Sequence, residues 1–299
     1  MSPFVIWETK DDISSVILAV HGYNDYSNSF EEPAAYLSQF GIKTFAFDLN
    51  GFGKNKNRGK NFDLAIHLED IKQRLKILKK ENPNKEIFIL GESMGGALVL
   101  SLINQYNYLP IKGVILVAPA IWDFSEENFW KSIALNFFSL IFPNVKVSAK
   151  GLIKIKASNN VEMLEKLSQD KFFIHKPTFK SLKGIVEIMD ESYVNTTEYL
   201  NNPQYDLLIL LPIKDEIVPR KPFLKILDNI NQNNKDLKMT NIKIYENHYH
   251  MILRDKKANR VLEDLKNWIL NENSLRKKTK LKKILNDLQK FEFYHRLDK

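Results

Sequence analysis

Residues 87–100 read Ile87-Phe88-Ile89-Leu90-Gly91-Glu92-Ser93-Met94-Gly95-Gly96-Ala97-Leu98-Val99-Leu100. The apolar run at 87–90 predicts a strand and the run from Ala97 predicts a helix. Between them stands a G-x-S-x-G pentapeptide. A strand that enters a helix through such a turn holds its serine in a sharp, strained conformation, and small residues on either side let the two backbones come close. The Ser93 hydroxyl then projects from the top of a sheet. The five letters recur by chance in many chains, so the strand before them and the helix after them carry the weight.

A serine hydroxyl is a weak nucleophile until a base takes its proton, which calls for a histidine and for an acid to orient that histidine. The motif in this setting resembles the α/β-hydrolase elbow, and that resemblance implies that these follow later in the chain, acid first. Asp206-Leu207-Leu208-Ile209-Leu210-Leu211 is an apolar strand, and Asp215 lies in the loop just past it. Asn241-Ile242-Lys243-Ile244-Tyr245 is another short strand, followed by Glu246-Asn247-His248-Tyr249-His250. On the residues alone, either histidine can be the base.

Attack on a carbonyl also needs donors for the oxyanion. The strand Val16-Ile17-Leu18-Ala19-Val20 ends in His21-Gly22-Tyr23, where glycine permits a tight turn that aims the Tyr23 amide at the site. The Met94 amide, next after the serine, is the second expected donor. His21 reads as a structural histidine bonded to nearby backbone.

The chain resembles the monoacylglycerol lipase and lysophospholipase branch of the α/β-hydrolase superfamily. The likeness rests on HGYNDYSNSF at 21–30, FDLNGFG at 47–53, GESMGG at 91–96, SNNVEMLEKLSQD at 158–170, KDEIVP at 214–219 and HMILRD at 250–255, and covers roughly residues 4–270. It implies an α/β-hydrolase fold, a mostly parallel doubly wound sheet with a helical cap inserted after the sixth strand. The implied layout is a core at 1–119 and 202–271, a cap at 120–201 and a tail at 272–299. It also places the base at His250, leaving His248 as a solvated loop side chain. Two departures stand out: Pro212 where relatives commonly carry glycine before the acid, and Asn50 where many have arginine.

The resemblance implies a serine hydrolase of carboxylic esters, with a lysophospholipid or monoacylglycerol as substrate and no metal or organic cofactor. Fold and site residues do not choose the leaving group, so thioester or peptide cleavage stays open, as does a non-catalytic scaffold that binds membrane. Dehalogenase or epoxide-hydrolase chemistry needs a carboxylate at the elbow, which Ser93 is not.

Composition agrees. The 299 residues and 44% hydrophobic content suffice for one α/β core with an insertion. The absence of cysteine excludes disulfides, cysteine-dependent zinc sites and a thiol nucleophile. No basic n-region with a long apolar stretch follows Met1, so a cytoplasmic protein, peripheral at the membrane, is the expectation. Elsewhere strands and helices alternate: a strand at 44–49, and helices at 64–80, 223–230 and 258–270. Most of the remaining carboxylates are assigned to solvated helix faces, and His67, His175 and His295 to ordinary surface or core positions.

Residues 129–142 hold ten apolar residues in fourteen, short of the about 20 needed to span a bilayer. Pro143 ends the run. A helix is expected there, either buried against the core or serving as an apolar lid that touches lipid. The net charge of +8 concentrates in residues 271–299, which hold nine Lys or Arg against four acids. Within them Leu281, Ile284, Leu285, Leu288 and Phe291 recur at helical spacing. This basic amphipathic helix can dock on the protein's own surface, perch on anionic lipid or bind nucleic acid. The chain carries no nucleic-acid module, so the last is set aside.

Overall fold

The structure, a computed structural model, describes residues 1–59, 63–148, 155–233, 237–271 and 280–297, with side chains through 289. Seven strands form one sheet in the order β1-β3-β2-β4-β5-β6-β7. These are β1 (Phe4–Trp7), β2 (Ser15–Val20), β3 (Ile42–Phe47), β4 (Glu86–Glu92), β5 (Gly113–Val117), β6 (Asp206–Pro212) and β7 (Thr240–Tyr245). All neighbours run parallel except β1, which pairs antiparallel with β3 at the edge.

A parallel sheet is covered on both faces, so its strands are apolar throughout rather than alternating. All six residues of β2 are buried. Their period of two sends Val16, Leu18 and Val20 into one core and Ile17 and Ala19 into the other. On the first face lie α2 (Leu64–Glu81), α3 (Met94–Gln105) and α8 (Lys221–Gln232). On the second lie α1 (Glu31–Ser38) and α9 (Ala258–Ile269), whose Trp268 is wholly buried against Phe88.

Two expectations need correction. The helical insertion follows β5, the fifth strand in chain order, and not a sixth, since Gly113–Val117 runs directly into the 120–201 segment. The third strand spans Ile42–Phe47 rather than 44–49, because the Leu49 amide leaves the ladder and donates to Nε2 of His21 at 3.0 Å.

Between β5 and β6 the chain forms α4 (Phe124–Glu127), α5 (Phe129–Ile141), α6 (Val161–Gln169) and the long α7 (Phe179–Asn201), which packs on α3 and α5. The α5 helix is inside out. Its buried positions are Ser132 and Ser139, seven residues apart on one face, and Ser132 Oγ lies 3.0 Å from Ser125 Oγ. Phe129, Trp130, Ile133, Phe137, Phe138, Leu140 and Ile141 are exposed, Trp130 at 78% and Leu140 at 83%. No helix among the described residues is long and apolar enough to cross a membrane.

The final helix, α10 (Leu281–Leu297), packs on α8, and Leu281, Ile284, Leu285 and Leu288 are buried in the first core. Of the readings open for this segment, docking on the protein's own surface is the one observed. A perch on lipid through that apolar stripe is corrected, since the side chains that would enter the bilayer already fill the core. Phe291 and His295 lie outside the described side chains.

Candidate active site

The elbow is built by exclusion of volume. A Cβ at Gly91 would lie 2.4 Å from the Gly95 carbonyl oxygen, and one at Gly95 would lie 2.1 Å from the Val20 oxygen. Only glycine lets β4, α3 and β2 approach this closely. Ser93 adopts φ 54° and ψ −117°, a strain of roughly 1–3 kcal/mol for a residue with a Cβ. The surrounding backbone over-determines that conformation. The Ser93 amide donates to Val117 O at 2.9 Å, and its carbonyl accepts from Ala97 N at 3.1 Å and Ala120 N at 3.0 Å.

Asp215 and His250 arrive from the ends of β6 and β7. In the turn after β6, Asp215 Oδ1 accepts from the Ile217 and Val218 amides at 2.8 and 2.9 Å, which fixes the carboxylate and leaves Oδ2 facing His250. His250 Nδ1 donates to Asp215 Oδ2 at 2.7 Å, so Nε2 carries the lone pair and accepts from Ser93 Oγ at 2.9 Å. The three side chains form one continuous hydrogen-bonded chain. Burial pushes the His250 imidazole down, but Asp215, through charge and hydrogen bond, outweighs it and holds the group above 6.5. His248 points elsewhere: it is buried, not solvated, and Nε2 donates to Lys257 O at 3.1 Å.

The 21–23 turn lies against the serine. A Cβ on Gly22 would sit 3.2 Å from Ser93 Cβ and 3.8 Å from its Oγ. Met94 is the first residue of α3, where a backbone N–H has no partner within the helix and the dipole favours negative charge. His21 is wholly buried, donating from Nδ1 to Gly22 O at 2.8 Å and accepting the Leu49 amide at Nε2; burial lowers its pKa and keeps it neutral.

Two carboxylates of the resemblance motifs, Asp48 and Asp255, are buried. Asp48 accepts from the Ser27 amide and hydroxyl and from the Lys54 amide, tying the 47–53 loop to the 21–30 loop. Asp255 accepts from Ser158 Oγ and from the Asn159 and Tyr249 amides, binding the 158–170 segment to the histidine loop.

Most consequential is an ion network that sequence reasoning missed. Arg254 Nη2 donates to Asp25 Oδ2 at 2.7 Å and to Glu92 Oε2 at 3.5 Å. The network joins the 21–30 loop, the residue before Ser93 and the turn after His250. Burial raises the Glu92 pKa and Arg254 opposes the rise, while the two acids outweigh burial and raise Arg254 above its usual range. The signal was present: an acid inside the apolar run 87–92 must find a buried partner. Among the described residues no group of three or more His, Cys, Asp or Glu could hold a metal ion.

A family model described as serine aminopeptidase, S33, matches residues 11–257. Monoglyceride lipase of Rattus norvegicus is 23% identical over 268 residues, covering 88% of this chain and 84% of that one. Phospholipase YtpA of Bacillus subtilis (strain 168) is 23% identical over 252 residues, 84% of this chain and 93% of its own. Among solved structures, Paleococcus ferrophilus monoacylglycerol lipase superposes with a TM-score of 0.74 at 18% identity, over 91% of this chain and 100% of that one. A soluble variant of the Saccharomyces cerevisiae monoglyceride lipase, bound to a substrate analogue, gives 0.74 at 19% identity over 93% and 92%.

Proposed function

Because the chain belongs to the serine aminopeptidase S33 family of α/β-hydrolases, we propose that it is a serine hydrolase of lipid-like carboxylic esters, with a monoacylglycerol or lysophospholipid as substrate. The observation that carries the reading is the chain from Asp215 through His250 to Ser93 Oγ on a strained elbow. His250 takes the Ser93 proton as Oγ attacks the ester carbonyl, and the Tyr23 and Met94 amides stabilise the oxyanion. Collapse expels the alcohol, to which His250 returns the proton. Water, deprotonated by the same imidazole, then attacks the acyl-enzyme and releases the fatty acid. Asp215 fixes the tautomer and stabilises the imidazolium.

The lipid class is supported by the outward apolar face of α5, in the segment 120–201 that we take as the cap. A contiguous apolar surface of this kind on a soluble fold marks an interaction site. Here it suits a peripheral approach to a bilayer, with the substrate drawn from the interface. The names of the relatives, monoglyceride lipase and phospholipase, favour the same class.

The test is a panel of p-nitrophenyl esters of increasing acyl length, beside a monoacylglycerol, lysophosphatidylcholine and an amino-acid p-nitroanilide, with wild type and Ser93→Ala. Ester hydrolysis that lengthens its optimum toward medium or long acyl chains and vanishes in the variant is expected. A preference for the anilide would turn the reading to a peptidase. Equal inactivity on everything would make the fold a scaffold.

A further inference from the structure

With the stripe of α10 in the core, α5 in the cap keeps its apolar side chains exposed. The chain leaves α5 at Phe142 and Pro143, and a pocket of about 340 Å³ opens beside it, lined by Arg58, Lys146, Lys171, His175 and Lys176 among others. No acidic residue lines it among the described residues. Lys54, Arg58 and Lys171 gather around the Phe172 ring, at 5.5, 5.7 and 5.1 Å from its centroid.

The neighbouring carboxylates are engaged elsewhere: Asp48 accepts from the Ser27 amide and hydroxyl and from the Lys54 amide. Asp170 Oδ2 accepts from the Tyr26 hydroxyl at 2.6 Å and Oδ1 from the Phe172 amide at 2.7 Å. Among the described residues, no ion pair reaches Lys54, Arg58, Lys146, Lys171 or Lys176. Cations held together without counter-charge repel one another, so the arrangement is stabilised by an anion that enters it.

We propose that this pocket binds lipid phosphate and docks the cap on an anionic bilayer. The apolar and cationic surfaces are continuous: exposed Phe142 and Val145 alternate along the chain with the pocket residues Asn144 and Lys146. A surface with apolar side chains at hydrocarbon depth and cations at phosphate depth is the design of an interfacial anchor. The pocket therefore makes docking selective for negatively charged membranes, whereas α5 alone provides affinity for any bilayer. The inference rests on the reading of α5 as the lipid-facing helix.

The test uses the full chain carrying Ser93→Ala, so that binding is measured apart from turnover. Co-sedimentation is run with vesicles of phosphatidylcholine alone and of phosphatidylcholine with phosphatidylglycerol. Each basic residue near an anionic surface contributes about fivefold to partitioning, so Lys146→Gln/Lys171→Gln/Lys176→Gln should lower anionic-vesicle binding by roughly a hundredfold. Binding to the neutral vesicles should not change, and the anionic advantage should fade with salt. The Lys→Arg triple variant should retain binding, which guards against a folding defect in the Gln variant. Trp130→Ser/Phe137→Ser should weaken binding to both vesicles; if it does not, the α5 reading fails, separately from the pocket. Undiminished anionic binding by the Gln variant overturns the proposal. So does a raised KM for monomeric lysophosphatidylglycerol, in the Ser93 enzyme, with vesicle binding intact, since the pocket would then hold the substrate's own phosphate.

Discussion

Arg254→Met keeps an unbranched apolar stem and removes the guanidinium with its charge. The guanidinium, the Asp25 carboxylate and the Glu92 carboxylate are at most 8% exposed. At a charge separation near 4 Å and an effective dielectric of about 20, one such pair is worth roughly 4 kcal/mol. The variant leaves two carboxylates buried without a counter-charge, and breaking a buried pair costs about 3–5 kcal/mol. At about 2–4 °C per kcal/mol for a chain of this size, the melting temperature should fall by about 6–20 °C.

The loss should depend on pH. Glu92 is already raised by burial, and without Arg254 it rises further. A folded acid with a raised pKa binds a proton that the unfolded chain has released, so stability falls as pH climbs from the ordinary carboxylate value through the folded one. The deficit of the variant should therefore be smallest near pH 5 and larger at pH 8, read from thermal melts across that range. Adding Asp25→Asn and Glu92→Gln to Arg254→Met removes the stranded charges and should recover most of the stability, because neutral replacement of a whole buried ion set is often nearly neutral. A triple variant as unstable as the single one would refute the reasoning, since the cost would then lie in packing and not in charge.

Ser93→Ala should lower kcat by about 10⁶-fold with the fold intact, and a fluorophosphonate should label wild type alone. The base acts only when neutral and His250 titrates above 6.5, so the acid limb of kcat/KM should have its midpoint above that value, and His250→Ala should abolish activity. His248→Ala should keep its pH profile and lose stability instead, through the lost bond to Lys257 O. Leu288→Ala should cost about 2–5 kcal/mol in a denaturant titration. Ending the chain at residue 271 should lower the melting temperature and soluble-ester activity together, because Leu288 and Asp215 line the same cavity of about 30 Å³.

The elbow was legible because everything that makes it is local. The apolar run, the small residues and the helical run are neighbours in sequence, and the steric reason for Gly91 and Gly95 needs no distant partner. Asp215 and His250 were legible as loop residues past strand ends, which is where a parallel sheet gathers its chemistry. Choosing His250 over His248 needed the family resemblance, since spacing alone offers both. The contact between them and Ser93 is a product of strand order: β4, β5, β6 and β7 are adjacent, so their C-terminal ends converge. Asp25, Glu92 and Arg254 were not read as a unit, because their pairing spans 162 residues or more and depends on which loops meet above the sheet.

The two amphipathic helices show where patterning stops. Both α5 and α10 carry apolar residues at helical spacing, and periodicity says only that such a stripe exists, not what covers it. In α10 the stripe meets the exposed side of α8 and the acid loop, and burying four branched side chains at roughly 1.5–3 kcal/mol each offsets the entropy of ordering the segment. In α5 the buried positions are Ser132, which meets Ser125 of α4, and Ser139, and most of the bulky side chains are turned outward. Small residues seven apart on an otherwise apolar helix are the sequence signal for that inversion. The basic tail thus places its apolar stripe in the core beside the Asp215 loop, while the less charged 120–201 segment keeps its apolar residues exposed, the reverse of what the charge distribution alone suggests.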